Sequence, residues 1–322
     1  MKDTAYAYCV ARIRANEKKL LDKSFINKLI ESESYDSAVN LLKGAGWIEA
    51  GVSVKDYIRL QNEKLWTMIS ESVPDKDVTE SLCVLNDYFN IKCAVKCALT
   101  GEDAEKYFIK PTTLDFEEIK KFLAEKNFTA FKNSDIGECL KEAYDVALKT
   151  ESGQNAEVII DSATLKALKL YSKKYKNSVF SEVCDFTIDS VNIKTAYRCL
   201  RAGKNIDFVR ASISAGSFID HTKLISCISE GEESLTAYLM KSRYAKGVAF
   251  YNESPVLFEK WCDETVVSIV SRAKFTAFGF DPVCAYYYAR LNEIKNIRII
   301  LTSKQSGVAV DEIKERVRAS YV

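Results

Sequence analysis

The chain has 322 residues, of which 28% are charged and 47% hydrophobic, and its formal net charge is +1. These proportions are those of an ordinary globular protein with enough chain for several buried cores. A net charge so close to zero excludes a global basic field for binding nucleic acid or an anionic membrane. With 4 prolines and 12 glycines, the composition favours long helices over a β protein with many turns.

The start of the chain does not have the pattern of a secretory signal, because Met1–Tyr8 is followed at once by the charged Arg12 and Arg14. No run of about 18 apolar residues occurs, so we expect no membrane-spanning helix. The 10 cysteines are expected to be small buried hydrophobes with free thiols, as is common for cysteine. Reduced thiols agree with a cytoplasmic location.

The hydrophobic spacing in the first part of the chain predicts three helices. Ser24 is expected to cap the first of these, and Ser34–Lys43 is the second. A longer helix runs from Val54 and is interrupted near Pro74.

The next helix contains a segment that recurs later in the chain. Asp87–Gly101 and Asp189–Gly203 lie 102 residues apart, and 7 of their 15 aligned positions are identical. Both segments have apolar residues at the i, i+3, i+4, i+7 spacing of one helical face. Both end on a glycine, where a left-handed residue that terminates the helix is expected. The shared apolar face consists of Ile91, Ala94, Val95 and Ala98, and of Ile193, Ala196, Tyr197 and Leu200.

A weaker third copy is expected at Glu293–Arg298. Glu293 falls 101 residues after Asn192, so this alignment puts a glutamate where the other copies have asparagine. Ile294, Ile297 and Leu301 keep most of the apolar face. The alignment leaves open whether the asparagines of the first two copies share a role.

Between and after these copies the same organisation continues. Pro111–Asp115 predicts the start of a helix, and Glu151–Glu157 is a polar connection before a long helix. Ser214–Ser217 interrupts the last third of the chain, and Pro255 precedes another long helix.

A period near 102 residues is much longer than the ~20–50 residues of solenoid repeats, so each unit is the size of a domain. We therefore predict three tandem helical domains at residues 1–103, 104–206 and 207–322. A bulky residue of each long helix lies 24 residues before the repeated segment, which suggests that the two helices form an antiparallel pair. These residues are Trp66, Leu168 and Ile269, which precede Asn90, Asn192 and Glu293.

The sequence contains no recognisable catalytic, nucleotide-binding or metal-binding motif. There is no phosphate-binding loop and no dinucleotide fingerprint. His221 is the only histidine, and without a surrounding nucleophile motif it is expected to be a surface or capping residue. Cys93 and Cys97 share a helix face, but no second pair completes a metal site. We expect no catalytic, cofactor-binding or metal-binding residues.

Three parts of the sequence together resemble a known family. These are Arg12–Leu21 near the start, the repeated Asp-x-x-Asn-Ile-Lys segments, and Glu293–Arg298 followed by Ile313–Val322 at the end. Their order, the three-unit period and the length are similar to those of the C subunit of prokaryotic V-type (A-type) rotary ATPases, the counterpart of the eukaryotic d subunit. The resemblance covers the whole chain.

The resemblance implies an all-α, funnel-shaped protein of three similar domains with approximate threefold pseudo-symmetry and a central socket. It implies a noncatalytic coupler on the cytoplasmic face of the membrane rotor ring. The socket would receive the D and F subunits of the central stalk, so that rotation of the ATP-hydrolysing head reaches the ring and drives proton or sodium transport. The resemblance implies no cofactor, no membrane span, no nucleic acid and no small-molecule substrate.

Two alternatives remain open at this point. The first is a general α-helical scaffold that binds a protein or peptide and is unrelated to rotary ATPases. The second is an enzyme with an unrecognised site around His221. Residues that contact a partner cannot be assigned from the sequence pattern.

Overall fold

The computed structural model describes residues 3–48 and 53–322 of the chain. Over these two ranges the chain forms 16 α-helices and no β-strand, which confirms the all-α prediction. Within the same ranges, no helix combines the length and the apolar character that crossing a bilayer requires. The helices group into two compact units, and the predicted domains at 1–103, 104–206 and 207–322 stay a prediction.

The first unit consists of Met1–Lys76, Ser178–Val183 and Tyr244–Val322. The longest helix in it is α15, which contacts α1, α3, α4, α14 and α16. Both ends of the chain therefore pack on this one helix. The helices of the unit are α1 (Ala7–Glu17), α2 (Lys23–Glu31), α3 (Tyr35–Gly44), α4 (Val54–Ser72), α13 (Ala245–Glu253), α14 (Pro255–Ser271), α15 (Asp281–Gln305) and α16 (Val310–Arg316).

The second unit consists of Asp77–Asn177 and Cys184–Arg243. Its contacts join α7 to α8, α8 to α10, α10 to α11 and α11 to α12. The helices that lie wholly or mostly in it are α5 (Lys76–Thr100), α6 (Phe116–Glu125), α7 (Ser134–Thr150), α8 (Gly153–Lys174), α9 (Val179–Arg201), α10 (Ile206–Ser212), α11 (His221–Glu230) and α12 (Glu232–Met240).

Polar caps set the starts of several helices. Ser34 accepts a hydrogen bond from the backbone N–H of Ser37, and Asp115 forms a capping box with Glu118, which agrees with the helix start predicted at Pro111–Asp115. The prediction of Ser24 as a cap is wrong. The helix begins at Lys23, because the Asp22 carboxylate accepts the N–H of Phe25 at 2.7 Å and so caps it two residues earlier.

The repeated segments occupy three long helices, α5, α9 and α15. Gly101 follows α5 with φ +74°, and Gly203 follows α9 with φ +59°. Both glycines therefore have the left-handed conformation that the sequence pattern predicts. Contact between the repeated helix and the long helix before it is seen for α14 and α15, while their antiparallel arrangement stays a prediction.

Most of the apolar stripe predicted for these helices is buried, while Ala98 and Leu200 are partly exposed. Ile193 is 0% exposed, whereas Leu170 on the neighbouring α8 is 65% exposed. In the first unit the stripe of α15 joins a core built with residues of α2, α3, α4 and α16. The six positions predicted to be buried, all of which are buried, are Ile91, Ala94, Ile193, Ala196, Ile294 and Ile297.

Ile193→Ala tests the packing of the repeated stripe. Because the side chain is fully buried, we expect its truncation to lower the free energy of unfolding by about 2–5 kcal/mol. Leu170→Ala, on an exposed position of the same unit, should change it by less than about 0.5 kcal/mol. Urea unfolding followed by circular dichroism measures both, and equal effects of the two substitutions would mean that the stripe does not form the core.

Candidate functional site: three acidic–asparagine clasps

The asparagines of the repeat each bind one backbone residue with two hydrogen bonds. Asn90 donates from Nδ2 to the carbonyl of Ile109 at 3.0 Å and accepts from the N–H of Ile109 at 2.9 Å. Asn192 makes the same pair with Ser214, at 2.8 and 3.1 Å. A primary amide carries both a donor and an acceptor, so it satisfies both polar groups of one backbone residue. Each asparagine therefore fixes a segment that follows its own helix.

The third copy uses Asn296 for this purpose. Its side chain donates to the carbonyl of Arg318 at 3.0 Å and accepts from the N–H of Arg318 at 2.9 Å. The expectation that Glu293 takes the asparagine position is therefore wrong. The matching asparagine lies 104 residues after Asn192, because this copy has two more residues than a constant period of 102 allows. Gly307 supports the new alignment, because it follows Asn296 by 11 residues and has φ +70°.

In the corrected alignment every copy reads Asp/Glu-x-x-Asn. We call the acidic residue, the asparagine and the backbone groups that they bind a clasp. The acidic residues are Asp87, Asp189 and Glu293, all buried, with Asp189 0% exposed. Each copy thus places a carboxylate one helical turn before its asparagine, so that the two side chains lie on the same side of the helix.

The carboxylate of Asp87 binds the segment just before α6. Its Oδ1 accepts the N–H of Thr113 at 2.9 Å and the hydroxyl of Thr112, and its Oδ2 accepts the hydroxyl of Thr113 at 2.6 Å. Burial raises the pKa of Asp87, and the hydrogen bonds from the two threonines oppose that shift. The donors thus compensate much of the cost of burying the carboxylate.

Asp189 binds the segment just before α11 in the same way. Its Oδ1 accepts the N–H of Ser217 at 3.0 Å, and its Oδ2 accepts the N–H of Phe218 at 2.9 Å. Gly216 passes so close to this carboxylate that a Cβ there would lie 2.3 Å from Asp189 Oδ1. A glycine is therefore required at this position for the carboxylate to reach both N–H groups.

Glu293 binds a segment near the other end of the chain. Its Oε2 accepts the N–H of Leu21 at 2.7 Å, and its Oε1 accepts the indole N–H of Trp47 at 2.9 Å. Arg290 also donates to Oε1 and, through Nη2, to Gln61 Oε1 at 2.6 Å. The network is completed by Gln61, which donates to the carbonyl of Trp47 at 3.1 Å.

The three carboxylates share one kind of target. Each binds backbone just before a helix that is capped by an aspartate: Asp115 for α6, Asp220 for α11 and Asp22 for α2. The first clasp thus holds the helix that follows the first copy, and the second holds the helix that follows the second. The carboxylate of the third copy holds α2, near the start of the chain.

The clasps are suited to holding backbone in place. Their carboxylate oxygens already accept hydrogen bonds from the N–H and hydroxyl groups just described, which keeps these groups engaged in fixed geometry. Among the residues that the structure describes, no three His, Cys, Asp or Glu side chains group in a way that could hold a metal ion. Eight of the ten cysteines are buried, and Cys93 and Cys262 are partly buried.

His221 lies apart from the clasp carboxylates, at the first position of α11, where it is exposed. Asp220, and not His221, caps that helix, because its Oδ1 accepts the N–H of Lys223 at 2.9 Å. The histidine lines an open cavity with Lys166 and Arg210. The expectation of a surface position is confirmed.

Asn192→Asp tests the asparagine clasp. The carboxylate cannot donate to the carbonyl of Ser214 and leaves that group without its hydrogen bond, so we expect a loss of about 1–3 kcal/mol in the free energy of unfolding. Asn40→Asp, at an exposed position of α3, is the matched control and should change it by less than about 0.5 kcal/mol. Urea unfolding of both variants at neutral pH measures these changes. Equal free energies of unfolding for the two variants would contradict the proposed role of Asn192.

Glu293→Gln tests the buried carboxylate through its pH dependence. Burial, opposed by the Arg290 guanidinium and by the N–H donors of Leu21 and Trp47, raises the pKa of Glu293 above its ordinary 4.5. A raised pKa means that the folded protein holds this proton more tightly than the unfolded chain, so its contribution to stability is lost as the pH rises through the folded pKa.

The stability of the native protein relative to Glu293→Gln should therefore fall as the pH rises above the ordinary 4.5 of a glutamate. Urea unfolding at a series of pH values measures this difference. Glu315→Gln, at an exposed position of α16, should show no such slope. A relative stability that rises with pH for Glu293→Gln would contradict the assigned direction.

The chain is similar to known proteins over nearly its whole length. Residues 9–316 match the family described as ATP synthase (C/AC39) subunit. The C subunit of the V-type sodium ATPase of Enterococcus hirae is 23% identical over 319 residues, which cover 96% of this chain and 97% of that protein. The C subunit of the A-type ATP synthase of Methanocaldococcus jannaschii is 24% identical, and the alignment covers 96% of this chain and 85% of that protein. The resemblance seen in the sequence is confirmed, and this protein belongs to the ATP synthase (C/AC39) subunit family.

Proposed function

We propose that this protein is a noncatalytic adaptor that couples the central stalk of a V-type ATPase to its membrane rotor ring. The observation that carries the proposal is the family match over residues 9–316, together with relatives, named as C subunits, that align over nearly their full length. Because the alignment covers 96% of the chain, nearly the whole chain, and not a single module of it, would perform the role of the relatives.

In this proposal the chain forms three related helical domains with approximate threefold pseudo-symmetry, arranged as a funnel around a socket. The D and F subunits of the central stalk would enter the socket, and the rotor ring would lie on the opposite side, at the cytoplasmic face of the membrane. Three copies of the same clasp support a threefold repeat, because each copy holds the helix that begins the next one. The third clasp connects the last copy to the first.

An adaptor of this kind has to transmit torque without slipping or deforming. Close-packed helices resist deformation, and the clasps add buried hydrogen bonds at the points where the chain leaves one long helix for the next copy. These bonds are strong where water is excluded, and breaking one leaves a buried polar group without a partner. The clasps would therefore hold the copies together under load.

Deletion of the gene for this protein tests the coupling role. ATP hydrolysis by the soluble head should remain largely intact, because in this proposal the protein takes no part in the chemistry. ATP-driven proton or sodium uptake into membrane vesicles should be lost, because rotation no longer reaches the ring. Both activities are measured on the same deletion membranes, and expression of the intact chain should restore uptake.

Two results would contradict the proposal in different ways. If ion uptake persists at the normal ratio to hydrolysis, the protein is not the coupler. If hydrolysis by the isolated head also requires this chain, the protein acts within the head and not at the ring.

A further inference from the structure

The second unit contains an open cavity that the proposed function does not use. Helices α8, α10 and α11 enclose it, and its volume is about 820 Å³. That volume lies in the range of about 300–1,000 Å³ seen for ligand sites, and the cavity is partly open to solvent. We call this cavity the groove.

Two basic side chains, Lys166 and Arg210, line the groove together with His221. Lys166 and His221 line it and make no hydrogen bond or ion pair within the described part of the chain. Arg210 lines it as well and lies 3.7 Å from Asp207, with both side chains mostly exposed, so this ion pair is weak and the guanidinium stays accessible to a ligand. The carboxylate of Glu230, near the end of α11, is bound by the hydroxyls of Ser226 and Ser234.

Part of the lining of the groove is apolar. Ile206, Ile213 and Ile225 line it together with Lys166 and Arg210. Ile206 is 36% exposed, while Ile213 is buried. A lining with both apolar and basic side chains is complementary to a segment that has apolar residues on one face and carboxylates on the other.

The wall of the groove is held in place by the second clasp. Ser214, which lines the groove, is the residue that Asn192 binds through both its N–H and its carbonyl. Asp189 fixes the following turn at Ser217 and Phe218. A wall ordered in advance reduces the entropy that binding has to overcome. The groove is therefore formed before a ligand arrives.

We propose that this groove binds an acidic, amphipathic segment of a partner protein. Carboxylates of the segment pair with Lys166 and Arg210 and accept a hydrogen bond from His221, and its apolar side chains lie on Ile206 and Ile225. The proposal goes beyond the coupling role and does not depend on it, because it concerns a surface of the second unit alone.

Fluorescence anisotropy with the full chain tests the proposal. The probe is a fluorescein-labelled synthetic helix of about 16 residues, about 24 Å long, with leucines on one face and glutamates on the other. A peptide in which every glutamate is replaced by lysine is the control for charge. The acidic peptide should bind, with a Kd that rises as salt is added, and the basic peptide should not.

Charge reversal then locates the binding site. The double variant Lys166→Glu with Arg210→Glu should weaken binding of the acidic peptide at least about tenfold. The matched control is Lys141→Glu with Lys149→Glu, which makes the same charge change at exposed positions of α7 in the same unit and should leave the Kd unchanged. Circular dichroism checks that both variants are folded.

Three results would overturn the proposal. The first is that the acidic peptide binds no better than the basic one. The second is that both double variants weaken binding equally, so that the effect comes from net charge and not from the groove. The third is that inorganic triphosphate binds and is lost with Lys166→Glu and Arg210→Glu while the peptide does not bind, which would make the groove a site for small anions.

Discussion

The structure depends on one interaction, the pairing of a buried asparagine amide with both polar groups of a single backbone residue. Asn90, Asn192 and Asn296 are each about 1% exposed or less. At such depth an unsatisfied N–H or carbonyl costs about 1–3 kcal/mol, so each asparagine and its backbone partner stabilise the fold only as a pair. The hydrogen bonds of the asparagine hold the segment after each long helix against that helix. The carboxylate one turn earlier then fixes a neighbouring backbone segment.

The third clasp uses the same device over a long sequence distance. Glu293 holds the backbone just before α2, near the start of the chain. Glutamate has one more methylene than the aspartates of the other copies, and it binds both a backbone N–H and the indole of Trp47. Arg290 offsets part of the free-energy cost of burying this carboxylate, because it donates a hydrogen bond to Glu293. Its second terminal nitrogen donates to Gln61. Both ends of the chain consequently belong to one compact unit.

The buried frame and the accessible surface have different roles in this fold. The clasps and most of the packed stripes of α5, α9 and α15 are buried, and the clasps fix the segments that they bind. The proposed coupling role would need such a frame, because a contact surface is only as stiff as the elements that carry it. The groove beside the second clasp illustrates the link, since Asn192 fixes Ser214 from within while the other side of that segment faces a cationic, accessible cavity.

Local features of this protein follow from its sequence. Apolar spacing places Ile91 and Ile193 in the core, because a helix presents every third or fourth residue on one face. Glycine after the last helical residue predicts the left-handed turns at Gly101 and Gly203. These features depend on residues within one or two turns, so the order of the chain specifies them. The family is also recognisable from such segments and their order.

The tertiary structure decided the rest. Asn296 and Glu293 could not be assigned their places from a constant period, because two additional residues shift the third copy. The sequence did contain a sign of the correct alignment, because each asparagine of the repeat is followed 11 residues later by a glycine. In the third copy this glycine is Gly307, which follows Asn296. The bond from Leu21 to Glu293 joins residues 272 positions apart. Such a partner is chosen by how packed helices bring distant backbone together, and no local pattern of residues contains that information.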